Sequence, residues 1–270
     1  MNKLESRWLE LRSLDELASQ DSVVHDLHPT AKLLVTLAFI ITATSYGKYD
    51  IIGLVPLLVY PAAMISLGRI PARMLGRRVL ILLPFVLFVG ILNPLFDQAV
   101  LVQAGPIAVS GGMISFLSII LRFVLSVTAV LILIATTGME AVCASLANLG
   151  VPRLLISQIL LLYRYLYVLL EEVLRVSRAY MLRSPYQEGI AFRAWGSLAG
   201  SLLLRTMERA QRIHQAMLCR GFTGDVTMLR RQAMNTGDAV FLVVWGCFFL
   251  AARLYNLPQL LGQALLGGLP

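Results

Sequence analysis

Charge is what this 270-residue sequence has least of: Asp, Glu, Lys and Arg make up 14% of it, against 58% hydrophobic residues. A mean hydropathy of +0.76 excludes an ordinary water-soluble domain. Cysteine is also scarce. Cys143, Cys219 and Cys247 are scattered and show no C-x-x-C spacing, which excludes a disulfide framework or a cysteine metal site and leaves them as small apolar filler. The sequence has no G-x-x-x-x-G-K-[ST] phosphate loop, no H-E-x-x-H and no G-x-S-x-G, so ATP binding and the common hydrolytic mechanisms have no visible residues. The apolar runs hold no paired carboxylates either, which counts against a membrane-embedded enzyme, the rival reading from another functional class. The first thirty residues are too charged for the apolar region of a signal peptide, so the N-terminus is expected to be retained and cytoplasmic.

What is present is a series of uncharged apolar runs. Residues 1–32 read as a cytoplasmic segment in which His25 and His28, without a third ligand nearby, act as capping or packing groups and hold no metal. Residues 33–46 and 51–67 are uncharged and separated by four residues, a tight transmembrane hairpin whose arms are each short of the ~20 residues that span a bilayer. The connection 68–78 carries Arg69, Arg73, Arg77 and Arg78 and no acid, which marks it as cytoplasmic. A third span follows over 79–96, with Pro84 inside and Asn93-Pro94 as a kink or break. Residues 97–112 contain no Lys or Arg and read as an external loop. The fourth span, 113–137, has one charge, Arg122. An arginine at that depth costs roughly 2.5–3.5 kcal/mol on insertion scales, so it is expected to face the bundle interior and hold backbone carbonyls or Asn93. A last span over 239–252 leaves an uncharged tail outside.

Between the fourth and last spans lies an arginine-rich insert. Its first helix is expected from Pro152 to Arg183-Ser184, stopped by Pro185, and its second from about Ile190 to Arg220-Gly221, where Gly221 supplies the left-handed residue that ends helices. Each is roughly 45 Å long at 1.5 Å per residue. Residues 154–170 are apolar apart from Arg164. Treating them as a span would put the ten arginines of 171–231 opposite the 69–78 loop, so the helix is read as interfacial or beneath the bundle. Glu171 with Arg175 and Glu208 with Arg212 are spaced to pair one turn apart. Trp195, Leu198, Ala199, Leu202, Leu203, Ala210, Ile213 and Met217 form an apolar stripe, with Arg205, Arg209 and Arg212 on a solvated face. Aromatics are not interleaved with these arginines as base-stacking requires, so no nucleic-acid partner is expected. Both helices end alike. Ala179 and Ala216 each precede an arginine by one turn, in Ala179-Tyr-Met-Leu-Arg183-Ser184 and Ala216-Met-Leu-Cys-Arg220-Gly221, a repeated device suited to a paired contact with another protein.

With these residues in view the chain resembles the T component of energy-coupling-factor (ECF) transporters, in the CbiQ branch associated with cobalt or nickel import. The likeness covers nearly all of the chain except the tail. It rests on the opening segment from Leu14 to Lys32, on Asn93-Pro94, on Tyr163-Arg-Tyr165 ahead of Glu171-Glu172, and on the motifs Leu182-Arg183-Ser184 and Cys219-Arg220-Gly221. The family often has Ala directly before the arginine, where this sequence has Leu182 and Cys219.

The resemblance implies an all-α polytopic membrane protein with about five transmembrane helices and a cytoplasmic pair of long coupling helices. The expected segments are a cytoplasmic 1–32, transmembrane helices over 33–138, a coupling region over 139–235, and a last span with its tail over 236–270. It further implies a multi-pass protein of the bacterial cytoplasmic membrane, a scaffold that is not an enzyme. The ATPase-coupling residues would be Ala179, Leu182, Arg183, Ser184, Ala216, Cys219, Arg220 and Gly221, with Arg122, Asn93 and Pro94 structural within the membrane. The implied partners are two CbiO-like ATPase subunits, a CbiM-like substrate-capturing S component and a small CbiN-like membrane protein. No cofactor would be bound by this chain, ATP and Mg being held by the ATPases. Cobalt or nickel is the implied cargo, a vitamin-type importer the alternative.

Overall fold

The computed structural model describes residues 18, 20, 22–92, 100–104, 107–184, 189–224 and 234–254, with backbone alone at 100–104 and 107–110. Asn93, Pro94 and Pro185 lie outside the described residues. The chain divides into two compact units, a membrane unit of Glu16–Gly138 with Gln232–Pro270 and an inserted unit of Met139–Arg231 with Met1–Asp15.

In the membrane unit, α1 (Pro29–Ser45) starts where the sequence signals a start. Pro29 takes the first turn, where a missing N–H costs nothing, and the His28 ring accepts a hydrogen bond from the Thr30 N–H at 3.2 Å. The second apolar run is not one α-helix as its composition suggests. It opens as a 3-10 helix (Ile52–Leu58) containing Pro56 and continues as α2 (Val59–Leu67). Proline removes a hydrogen-bond donor, and the tighter winding rises about 2.0 Å per residue against 1.5 Å, so this short run reaches about 27 Å, close to the ~30 Å hydrocarbon core. Next comes α3 (Ala72–Gly90), which begins among its arginines, seven residues before the apolar run does. Within the stretch without basic residues, read as an external loop, β1 (Val100–Ala104) and β2 (Ile107–Ser110) pair antiparallel. Valine and isoleucine at alternate positions explain it. The unit is completed by α4 (Gly111–Thr137) and α8 (Thr236–Leu254), with α5, α6 and α7 of the insert between them in sequence.

The centre of this unit is aromatic. Tyr60 lies 4.8 Å from both Phe39 and Trp245 by ring centroids, and Phe249 lies 5.6 Å from Phe39 and Tyr60. The Tyr60 hydroxyl finds its partner in Thr36 at 3.1 Å, which satisfies that polar atom within the cluster. The outward faces are apolar too, with Leu80, Ile81, Phe85 and Phe88 of α3 exposed, as a lipid-facing helix requires.

Both ends of α1 are tied to both neighbours. At its start, Lys32 Nζ donates to the Thr136 carbonyl of α4 at 2.8 Å, and the His28 N–H donates to Asp238 Oδ1 of α8 at 2.7 Å. At its end, Arg122 of α4 donates to the Gly47 carbonyl, the Tyr46 hydroxyl donates to the Ala252 carbonyl at 2.8 Å, and Arg253 donates to Ser45 Oγ at 3.1 Å. Thus α4 runs antiparallel to α1 and α8 parallel to it. The chain therefore leaves this unit after Thr137 and returns to it before Thr236 at one and the same end of α1.

The inserted unit holds α5 (Met139–Asn148), α6 (Arg153–Arg183) and α7 (Phe192–Cys219). Gly150, at φ +91, and Pro152 turn the chain sharply between α5 and α6. By length and composition α4, α6 and α8 each suffice to cross a membrane, while Pro29–Ser45 and Ile52–Leu67 are shorter apolar helices. The fold is that of an all-α polytopic membrane protein carrying one small hairpin.

Arg122 donates to the Gly47 carbonyl, so losing it removes that carbonyl's side-chain donor. Arg122→Leu is expected to destabilise the detergent-solubilised chain by about 1.5–3 kcal/mol, the worth of a hydrogen bond to a charged group. Thermal unfolding checks this. An unchanged midpoint would mean that the bond to Gly47 does no structural work.

Candidate functional site

The two long helices end at the residues their sequences single out. In α6 the last helical residue is Arg183, and the Ser184 N–H closes the final turn on the Tyr180 carbonyl at 3.1 Å. In α7 the helix runs through Cys219 and Arg220 is the cap. Gly221 takes φ +81, its N–H bonds the Leu218 carbonyl at 3.0 Å, and the Phe222 N–H bonds the Met217 carbonyl at 3.0 Å. That pair of bonds is a Schellman terminus, which a Cβ at Gly221 would strain. The first end has no such residue.

Around each arginine the surface is open. Leu182 is 83% exposed, and Ala179, Arg183, Ala216, Cys219, Arg220 and Gly221 are exposed as well, with Ser184 half-buried. Among the described residues neither the Arg183 nor the Arg220 guanidinium has a hydrogen bond or ion pair. Each therefore offers a planar fork of donors, suited to a carboxylate or to carbonyl oxygens on another molecule. Arg183 in addition sits in the last turn, where the helix dipole favours a cation.

The two helices meet through one acid. Glu172 is 9% exposed; its Oε2 lies 3.2 Å from Arg175 Nη1 and its Oε1 lies 3.4 Å from Arg205 Nη1. Arg175 thus pairs with Glu172, three residues away, and not with Glu171 as its spacing also allows. The face expected to be solvated is so: Arg205 and Arg212 are exposed and Arg209 half-exposed, and all three line an open groove of about 170 Å³ with Leu169 and Glu172. The apolar stripe of α7, by contrast, does not face one way. Leu198, Leu202, Ile213 and Met217 are half-buried, while Trp195 and Leu203 are exposed, and no residue of α7 is buried. Arg205 reaches Glu172 from a side chain that stays 63% exposed. Sequence periodicity carries no signal for a partner 33 residues away.

The remaining candidates separate cleanly. His28 caps α1, and the His25 ring bonds Ser22 Oγ at 2.7 Å, so both histidines serve the local turn. Cys143 is fully buried in α5, and desolvation, with Glu140 adding to it, pushes its thiol above the usual range, away from nucleophile chemistry. Arg122 holds a carbonyl, one of the roles expected of it, although its Nε and Ser118 Oγ one turn before are buried without a partner among the described residues.

A polytopic helical membrane unit, interrupted by a long helix pair with open arginine ends, is the class of protein defined by this geometry. The profile of the CbiQ family, described as cobalt transport protein, matches residues 20–230. The chain belongs to the CbiQ cobalt transport protein family. It is 26% identical over 189 residues to an uncharacterized protein of Methanocaldococcus jannaschii, covering 66% of this chain and 64% of that one. It is 31% identical over 105 residues to the cobalt transport protein CbiQ of Salmonella typhimurium, covering 38% and 47% respectively. A further uncharacterized Methanocaldococcus jannaschii protein is 27% identical over 110 residues. The matches span 64%, 47% and 41% of these relatives' own lengths.

Because Glu172 is the buried acid between α6 and α7 and Glu171 is exposed, the two neighbours should respond differently. Glu172→Ala is expected to cost about 1–2 kcal/mol and Glu171→Ala no more than about 0.5 kcal/mol, measured by thermal unfolding. Equal effects would place the pairing elsewhere.

Proposed function

We propose that this chain is the T component of an ECF-type importer in a bacterial cytoplasmic membrane, a scaffold that couples ATP hydrolysis by two CbiO-like subunits to uptake through a CbiM-like S component. Cobalt or nickel ion is the cargo on this reading. The chain itself binds no cofactor, and ATP and Mg belong to the ATPases. Membership of the CbiQ family supports the transport assignment. The observation that carries the coupling role is the pair of long helices ending in exposed arginines, Arg183 and Arg220, neither of which is paired among the described residues.

Counting membrane crossings supports a cytoplasmic insert. The chain leaves and rejoins the membrane unit at the same end of α1, so the insert crosses the bilayer an even number of times. Were α6 a span, α7 would have to return with Arg193, Arg205, Glu208, Arg209 and Arg212, at roughly 2.5–3.5 kcal/mol for each charge near the membrane centre. No crossing at all is the cheaper solution. The Arg69, Arg73, Arg77 and Arg78 cluster then shares the cytoplasmic side with the insert, as the positive-inside rule asks. Single cysteines at Lys48 and at Gly224 test this in intact cells: the first should react with an impermeant thiol reagent and the second should not. Reaction at Gly224 would overturn the cytoplasmic assignment.

The arginines are tested directly. Truncating one partner of a buried, hydrogen-bonded charge pair at an interface costs about 2–5 kcal/mol, roughly thirty- to several-thousand-fold in affinity. Arg183→Ala or Arg220→Ala should each weaken ATPase copurification and uptake, and the double change should abolish both. Arg193→Ala, on an exposed site at the other end of α7, is the control. Sensitivity at Arg183 and Arg220 no greater than at Arg193 would remove the coupling role from the helix ends.

A further inference from the structure

The opening motif Leu27-His28-Pro29-Thr30-Ala31-Lys32 carries family likeness but takes no part in the reading above. Within the membrane unit it is where three chain segments meet. Lys32 is 1% exposed, and its Nζ donates to the Thr136 carbonyl at 2.8 Å and to the His25 carbonyl at 3.3 Å. Asp238 is 4% exposed; its Oδ1 accepts from the His28 N–H at 2.7 Å and its Oδ2 from the Asn235 N–H at 2.8 Å.

The positions of these acceptors and donors along the chain matter. Thr136 stands two residues before Gly138, which takes φ +73 and is the last residue of the membrane unit before the insert. Asn235 stands at the other junction, where the chain comes back and α8 begins. The last turn of α4, where the chain leaves for the insert, and the first turn of α8, where it has come back, are thus each bonded to the start of α1, one through a buried cation and the other through a buried anion. Buried ions are costly, and well-packed apolar side chains often hold helices together as firmly. What ions bonded to backbone add is direction, because a hydrogen bond to a given carbonyl or amide resists sliding where an apolar contact does not.

We propose that Lys32 and Asp238 are positioning residues of a joint that fixes the end of α4 and the start of α8, the strands of chain next to the insert, to α1, so that a pull on either one moves α1, α4 and α8 together. This rests on the coupling function proposed above, whose failure the following experiment separates. The chain, with Cys143, Cys219 and Cys247 replaced, is spin-labelled at the exposed Val23 and Met234, both in the membrane unit, and the distance distribution is read in the parent, in Lys32→Met and in Asp238→Asn. The expected result is a narrow distribution in the parent that broadens in both variants; distributions as narrow as the parent's overturn the joint.

The second measurement uses the assembled complex in vesicles. ATP hydrolysis is expected near the parental rate, with uptake per ATP hydrolysed reduced about tenfold, the scale of one lost charge-assisted hydrogen bond. Hydrolysis and uptake falling in equal proportion would overturn the transmitting role and leave an anchor only. Asp238→Asn keeps an oxygen for His28 and sets an amine against the Asn235 N–H, so it carries both measurements should Lys32→Met fail to accumulate. Failure of the parent chain to bind ATPases sinks the coupling reading and the transmitting role with it, while the distances on the chain alone still decide whether Lys32 and Asp238 fix the strands.

Discussion

A bilayer supplies no water to a charged side chain or a free carbonyl, and the membrane unit answers that constraint by pairing the two with each other. Lys32 donates to Thr136, Arg122 to Gly47 and Arg253 to Ser45, each cation reaching oxygen on a different segment of the chain. A carboxylate partner would mean desolvating a second ion; a carbonyl near a helix end is polar, fixed and in need of a donor anyway. The result is that α1, only 17 residues long, is held at both ends by both of its neighbours. The direction of α4 and α8, and the single exit for the insert, follow from those bonds.

The inserted unit lacks that kind of closure. α7 is 28 residues long and has no buried residue, and α6 buries only Ile156, Ser157, Glu172 and Ser177. An amphipathic helix gains most of its stability from covering its apolar face. With Trp195, Leu203, Leu204 and Met207 uncovered, the pair is incomplete as an isolated object, which agrees with a part whose work is done against other subunits. Glu172 is the local exception. It gives the two helices a shared charge, which Arg205 of α7 reaches while most of its side chain stays in solvent.

Sequence patterns reached the features that depend on neighbours in the chain. The capping role of His28, the ends at Arg183-Ser184 and Arg220-Gly221 and the apolar character of the membrane helices follow from local chemistry, whereas α1 starts at Pro29, four residues ahead of the run read from 33. Three features escaped it. The 3-10 winding of Ile52–Leu58 reflects the need of a short run to reach across the bilayer, and apolar composition does not register helix pitch. Arg175 is in reach of both Glu171 and Glu172, so spacing alone did not choose between i,i+3 and i,i+4. Arg205 pairs with Glu172 of the other helix, a relation made by tertiary packing. At the candidate site the arginines were legible as a pattern, but the difference between their two helix ends was not.

That difference bears on the coupling reading. Arg183 is the last residue with helical backbone, whereas Arg220 is the cap residue of α7, outside the helix at φ −92 and ψ 9, with Gly221 at φ +81 turning the chain behind it. If, as proposed, two copies of one ATPase present identical sockets, the groups this chain would offer them are chemically alike and geometrically unlike. A guanidinium on a long stem would tolerate such a mismatch, because its donors reach the same acceptors from more than one approach. A short rigid side chain at these positions would not, which is a physical reason for arginine at both helix ends under the coupling proposal.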